Sequence, residues 1–202
     1  MLRIALTGGI ATGKSYVLAA LRRRGVPCLD ADQLSHGVTA EGTEATRAIG
    51  ERFGLDVIDA SGAVDRRKLG SIVFADEQAR SDLEAIVHPA VSRAIAAGLR
   101  AFELTERPAL AVVDIPLLYE TRREADYDRV IATVCSREIQ IARLGERGLN
   151  ETDVAQRLAA QLPAEAKAAR ADFVIRTDGP FAETDAQVET VLAALRTIAA
   201  KH

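Results

Sequence analysis

Gly8-Gly9-Ile10-Ala11-Thr12-Gly13-Lys14-Ser15 decides how this chain is read, because it fits G-x-x-x-x-G-K-[ST] and lies between two segments of different periodicity. Upstream, residues 3–7 alternate around Ile4 and Leu6 as a strand does. Downstream, residues 14–24 carry helix formers until Gly25 stops them. Strand, glycine loop and helix in that order suit a phosphate cup. Glycines let backbone N–H groups turn inward around phosphate oxygens, and the helix adds its positive N-terminal end at the same point.

Working outward, short apolar strands are expected at 26–29, 109–113, 129–134 and 173–176, and a closing helix at about 182–200 with Val188, Val191, Leu192, Leu195 and Ile198 at helical spacing. Strands alternating with helices imply a parallel sheet, since parallel neighbours need a crossover and that crossover is right-handed. The expected fold is α/β: a P-loop NTPase three-layer fold with a five-stranded parallel sheet flanked by helices.

Two helical stretches interrupt the alternation. Residues 66–107 form a helical insertion, with Pro89 placed at a first helical turn. Residues 137–170 are rich in Arg and Ala, with Gly145 and Gly148 at a hinge or helix end, and suit a lid. The single domain therefore reads as a core of 1–65, 108–136 and 171–202, the insertion and the lid.

The loop residues Gly9, Ile10, Ala11, Thr12, Gly13, Lys14, Ser15 and Tyr16 are the candidates for binding ATP. Lys14 bridges the β- and γ-phosphates, and Ser15 holds Mg²⁺ as the terminal phosphoryl departs. Asp32 stands beyond the second strand, where ligands of open α/β sheets bind, and is the candidate catalytic base; Asp30 is the better helix cap. Asp114 ends the third strand in the position of a Walker-B acid and is a candidate for Mg²⁺. On the lid, Arg143 and Arg147 share a helix face and Arg157 follows. Closing that face brings cationic charge to the phosphates, and Arg143 is the favoured catalytic arginine. The same arginines also fit a solvated face paired with neighbouring acids. His88 precedes Pro89, which excludes helical backbone at His88 and turns its ring away from the following helix.

With 202 residues, 48% apolar and 27% charged, the chain suffices for one sizeable core. A formal charge of -3 argues against a surface that tracks nucleic acid. Four of the 26 basic residues are Lys and 22 are Arg, which suits bidentate phosphate contacts. The best apolar run is broken by Asp114 and Pro116, so no membrane segment is expected. Cys28 and Cys135 lack metal-ligand spacing and read as reduced, buried thiols of a cytoplasmic protein. A monomer or weak homo-oligomer is expected.

Several phrases together resemble the dephospho-CoA kinase family. They are Leu6-Thr7-Gly8-Gly9-Ile10 running into Gly13-Lys14-Ser15, then Asp30-Ala31-Asp32, Phe53-Gly54, Asp65-Arg66, Val73-Phe74, Leu83-Glu84 and His88-Pro89. After them come Pro116-Leu117-Leu118-Tyr119-Glu120, Gln140, Arg143, Arg147, Arg157, Gln161, Lys167 and Ala171-Asp172. The resemblance implies phosphorylation of the ribose 3′-hydroxyl of 3′-dephospho-coenzyme A by ATP, the last step of coenzyme A synthesis. It also implies that the insertion binds the coenzyme A moiety, that Asp32 is the base and that Arg143 contacts ATP. Asp32, His88, Pro116 and Leu117 are then candidates for the acceptor.

There are departures from the family pattern. Ala11 stands where another glycine is usual, so this position is expected to avoid a positive φ. Tyr16 replaces Thr, Glu41-Gly42 replaces Pro-Gly, and Thr177 takes a place often held by Asn, which puts an adenine contact there in question. The rival readings are another small-molecule or nucleoside monophosphate kinase of the same fold and, from a different class, a nucleotide-sensing P-loop binding module.

Overall fold

The computed structural model describes residues 1–201. Its strands are β1 (Leu2–Gly8), β2 (Cys28–Asp30), β3 (Leu110–Asp114), β4 (Arg129–Val134) and β5 (Phe173–Arg176). They form one parallel sheet in the order β2-β3-β1-β4-β5. β1 is central because it is apolar on both faces, with Ile4, Ala5 and Leu6 wholly buried. The register sets Leu6 beside Asp114 and Gly8 beside Thr133, so the carboxyl ends of β1, β3 and β4 meet where the chain reverses its direction of travel across the sheet.

Helices α1 (Lys14–Arg23) and α9 (Phe181–Ala199) cover one face. There Val17, Leu18 and Leu21 pack with Val188, Leu192 and Leu195 over Ile4, Leu6 and Ile131. The opposite face carries α8 (Ala164–Ala168), whose Ala164 and Ala168 seat closely on Ala132 and Val134. Between β4 and β5, α6 (Arg137–Glu146) and α7 (Glu151–Ala159) precede α8, and Gly148 turns the chain at φ 82°. These three helices occupy the stretch expected as a lid.

The chain forms two compact units, one of Met1–Leu29 with Phe102–His202, the other Asp30–Ala101. The second contains most of the stretch from Arg66 expected as a helical insertion, together with residues 30–65. The reason is a separate hydrophobic core in which Ile49, Val57 and Val64 pack with Leu69, Val73, Leu83, Ile86 and Val87. Its helices are α2 (Ala31–Val38), α3 (Glu44–Phe53), α4 (Arg66–Ala75) and α5 (Glu77–Thr105).

Pro89 and His88 depart from the sequence expectation. Both lie inside α5, which runs unbroken through them, so Pro89 is not in a first turn and His88 is helical. An interior proline costs about 3 kcal/mol. Leu83, Ile86 and Val87 before it, and Ala90, Val91, Ile95 and Leu99 after it, need one continuous helix to stay buried. At about 1.5–3 kcal/mol per large buried side chain, that burial wins.

Candidate functional site

The glycine loop follows β1 directly, and the reasons for its glycines are steric. A Cβ on Gly8 would overlap the Thr133 hydroxyl, and one on Gly9 would stand 2.9 Å from the Gln140 amide nitrogen. Gly13 takes φ 78° with the Thr177 side chain against it. Ala11 adopts φ 61°, contrary to the expectation that alanine here avoids the left-handed region. Such a conformation costs an alanine about 1–2 kcal/mol, so the surroundings must impose it. Ala11 is buried against Leu144 and Val154, which offsets part of that cost.

The loop is braced carbonyl by carbonyl, first by its own Thr12 and then by side chains from outside. Thr12 Oγ1 donates to the Gly9 carbonyl at 2.8 Å, and Gln140 Nε2 donates to that of Ile10 at 2.6 Å. Arg143 donates to the Ala11 carbonyl at 3.1 Å, and Thr177 Oγ1 donates to that of Thr12 at 2.9 Å. Gln161 Oε1 accepts the Ile10 N–H at 3.0 Å. Among the described residues, no backbone group pairs with the N–H groups of Ala11, Gly13, Lys14 and Ser15. Carbonyls tied back by side chains, beside four N–H groups that no backbone carbonyl takes, suit a cup for anionic oxygens at the start of α1.

Lys14 Nζ forms an ion pair with Asp114 Oδ1 across the carboxyl ends of β1 and β3. Asp114 is buried, Lys14 is half-buried, and Ser15 is exposed at the mouth of the loop. Arg143 also donates to the Thr177 hydroxyl at 3.1 Å and to its carbonyl at 2.7 Å, so its guanidinium ties α6 to the loop and to the segment after β5. Arg147 and Arg157 are exposed. Tyr16 stacks on Phe181 with ring centroids 4.5 Å apart, and its hydroxyl donates to Asp185.

The groups behind the loop carry no motif that assigns them a chemical role. Lys167 is wholly buried and donates to the Pro116 carbonyl at 2.7 Å while pairing with Glu120 at 2.8 Å. Burial pushes the Lys167 pKa below the ordinary lysine value, with Glu120 opposing and the charge of Lys14 adding to the fall. Pro116 is half-buried and also accepts from the Thr7 hydroxyl at 3.3 Å, whereas Leu117 is exposed. The signals in the sequence were slight: a lone lysine in an alanine-rich helix, and Gln140 one helical turn before Arg143.

In the Asp30–Ala101 unit, Asp30 caps α2 by accepting from the Asp32 and Gln33 N–H groups, as expected. Asp32 is exposed in the first turn. Its charge acts on Arg66, whose pKa burial lowers and Asp32 raises. A cavity of about 250 Å³ in this unit is lined mainly by Ile49, Val64, Leu69, Leu83 and Val87, with Arg66, Glu84 and His88 among its polar residues. His88 is exposed there. Cys28 is half-buried and Cys135 is buried; both are free thiols. Burial pushes Cys28 up to about 11. No helix among the described residues is long and apolar enough to cross a membrane.

The model of the dephospho-CoA kinase family matches residues 2–183. The chain belongs to the dephospho-CoA kinase family. It is therefore a kinase, an enzyme that transfers a phosphoryl group to an alcohol. A dephospho-CoA kinase of Anaeromyxobacter dehalogenans is 46% identical over 96% of this chain and 92% of its own. The dephospho-CoA kinase from Campylobacter jejuni has a solved structure with TM-score 0.73 and 26% identity, covering 96% of this chain and 97% of that one. A shikimate kinase from Acinetobacter baumannii, TM-score 0.54 at 18% identity over 98% of this chain and 94% of its own, shares the fold alone.

Proposed function

We propose that this chain transfers the γ-phosphoryl group of ATP to the ribose 3′-hydroxyl of 3′-dephospho-coenzyme A, giving coenzyme A and ADP. The observation that carries the reading is the braced cup from Gly8 to Ser15 in a chain that aligns along nearly its whole length with dephospho-CoA kinases. The N–H groups of Ala11, Gly13, Lys14 and Ser15 take phosphate oxygens. Lys14 leaves Asp114 for the β- and γ-phosphates, where its charge meets the charge that develops in transfer.

The donor set suits Mg²⁺, a hard cation with oxygen ligands: the Ser15 hydroxyl is exposed at the loop mouth, and Asp114 supplies a carboxylate at the end of β3 beside Lys14. When bound, the ion neutralises phosphate charge. Arg143 holds the loop through the Ala11 carbonyl and adds positive charge at its rim.

In the Asp30–Ala101 unit, Asp32 is the general base that accepts the 3′-hydroxyl proton. The mainly apolar cavity with Arg66 and His88 at its border suits the acceptor's pantetheine arm. Pro116 and Leu117 complete the proposed acceptor contacts. Two free thiols fit a reducing cytoplasm, and the chain acts as a monomer or weak homo-oligomer.

Purified Asp32→Asn should bind MgATP like the wild type and lose about 10²–10⁴ in kcat with dephospho-coenzyme A, measured by coupled ADP release. Turnover near wild type would remove Asp32 from the reaction.

A further inference from the structure

The peptide that joins Ile10 to Ala11 is the point of the loop under most constraint. A trans peptide unit points its C=O and N–H in opposite directions. Holding the Ile10 carbonyl outward on Gln140 therefore aims the Ala11 N–H into the cup. That same orientation fixes Ala11 at φ 61°, in the region alanine disfavours. Released from Gln140, this peptide can flip by changing ψ of Ile10 and φ of Ala11, which relieves the alanine and turns a carbonyl oxygen toward the phosphates.

The neighbouring peptide, between Gly9 and Ile10, is held in the opposite sense by Gln161, which accepts the Ile10 N–H and so fixes the peptide preceding the one that Gln140 holds. Gln140 lies on α6 and Gln161 on the connection between α7 and α8. Both amides border a cavity of about 160 Å³ that also touches Gly9 and Ile10. Space beside the loop means that hydrogen bonds, more than close packing, select the peptide orientation.

We propose that Gln140 and Gln161 are positioning residues for phosphoryl transfer, which keep the loop in its phosphate-accepting form against the backbone preference of Ala11. The inference rests on the reading that this loop takes the triphosphate of ATP. It assigns no contact between either glutamine and substrate.

The test is calorimetric titration of MgATP and of AMP into the full chain, with Gln140→Met, Gln161→Met, Ala11→Gly and the double variant Ala11→Gly/Gln140→Met. Gln140→Met should weaken MgATP about tenfold, the size expected from one lost hydrogen bond plus a competing flipped form, and change AMP little, since AMP lacks the β-phosphate. Gln161→Met should act in the same direction. In the Ala11→Gly background, where positive φ carries little penalty, most of the Gln140→Met loss should vanish. A purely structural role would lower the nucleotide-free Tm and weaken MgATP equally in both backgrounds. That result, or wild-type MgATP affinity in both glutamine variants, overturns the proposal. Absence of MgATP binding by the wild type would instead overturn the loop reading itself.

Discussion

The phosphate loop and the Asp30–Ala101 unit carry their candidate groups in opposite ways. In the loop, each carbonyl from Gly9 to Thr12 meets a side-chain donor, and the groups behind it, Thr133, Gln140, Lys167 and Thr177, are all buried. In the other unit the candidate base Asp32 and the candidate His88 are exposed, beside a mainly apolar cavity. Anion binding by backbone requires peptides held in fixed orientation before the ligand arrives, because each flipped peptide puts a carbonyl oxygen where an N–H is needed. A proton acceptor that works on a large flexible substrate tolerates an exposed start. The difference places rigidity where charge is stabilised.

The sharpest way to break that contrast is to remove the cation in the cup. Lys14→Met should lower kcat by about 10³ or more, measured with saturating dephospho-coenzyme A and ATP, since on the proposed reading it deletes the charge that meets the transferring phosphoryl group. A loss below tenfold would mean that the backbone N–H groups alone carry the phosphate chemistry.

Stability behind the loop should exceed that of the exposed groups. Lys167→Met leaves Glu120 facing a half-buried site without its cation, and its cost is about 3 kcal/mol in chemical denaturation. Exposed pairs such as Arg93 with Glu44 should give less than about 1 kcal/mol when broken. Equal costs would erase the distinction between a braced and a solvated region.

A smaller effect concerns Cys28, at the edge of the first unit. Its folded thiol titrates at about 11 against an ordinary 9.0, because burial disfavours the thiolate. The folded state thus holds its proton where the unfolded chain loses it. The contribution is complete below pH 9 and disappears as pH rises through about 11. Two units correspond to ~2–3 kcal/mol as an upper figure, since the side chain is only half-buried. Cys28→Ala should flatten this part of the alkaline stability curve.

The same contrast explains what the sequence disclosed. β4 and β5 fall where apolar runs bounded by turn residues put them, and β1, β2 and β3 shift by one or two residues, as strand ends do when pairing and not pattern sets the last bond. The loop was legible because glycine, lysine and serine act there through local geometry. His88 and Pro89 misled because the rule that proline ends a helix is local, whereas the buried residues on both sides of it act through tertiary packing. Ala11 misled for a related reason: its positive φ is imposed by Gln140 and Arg143, which lie far along the chain on α6. Lys167 stood in the family pattern without a role and Thr133 not at all, since a buried lysine and a strand threonine acquire meaning only once β3, β4 and α8 are assembled.

The most direct test of the whole account is mass spectrometry of the products after the purified chain is incubated with MgATP and dephospho-coenzyme A. The account predicts that the acceptor gains one phosphoryl group at its ribose 3′-hydroxyl, with one ADP formed for each coenzyme A. ATP bound by the loop but no coenzyme A formed would contradict it.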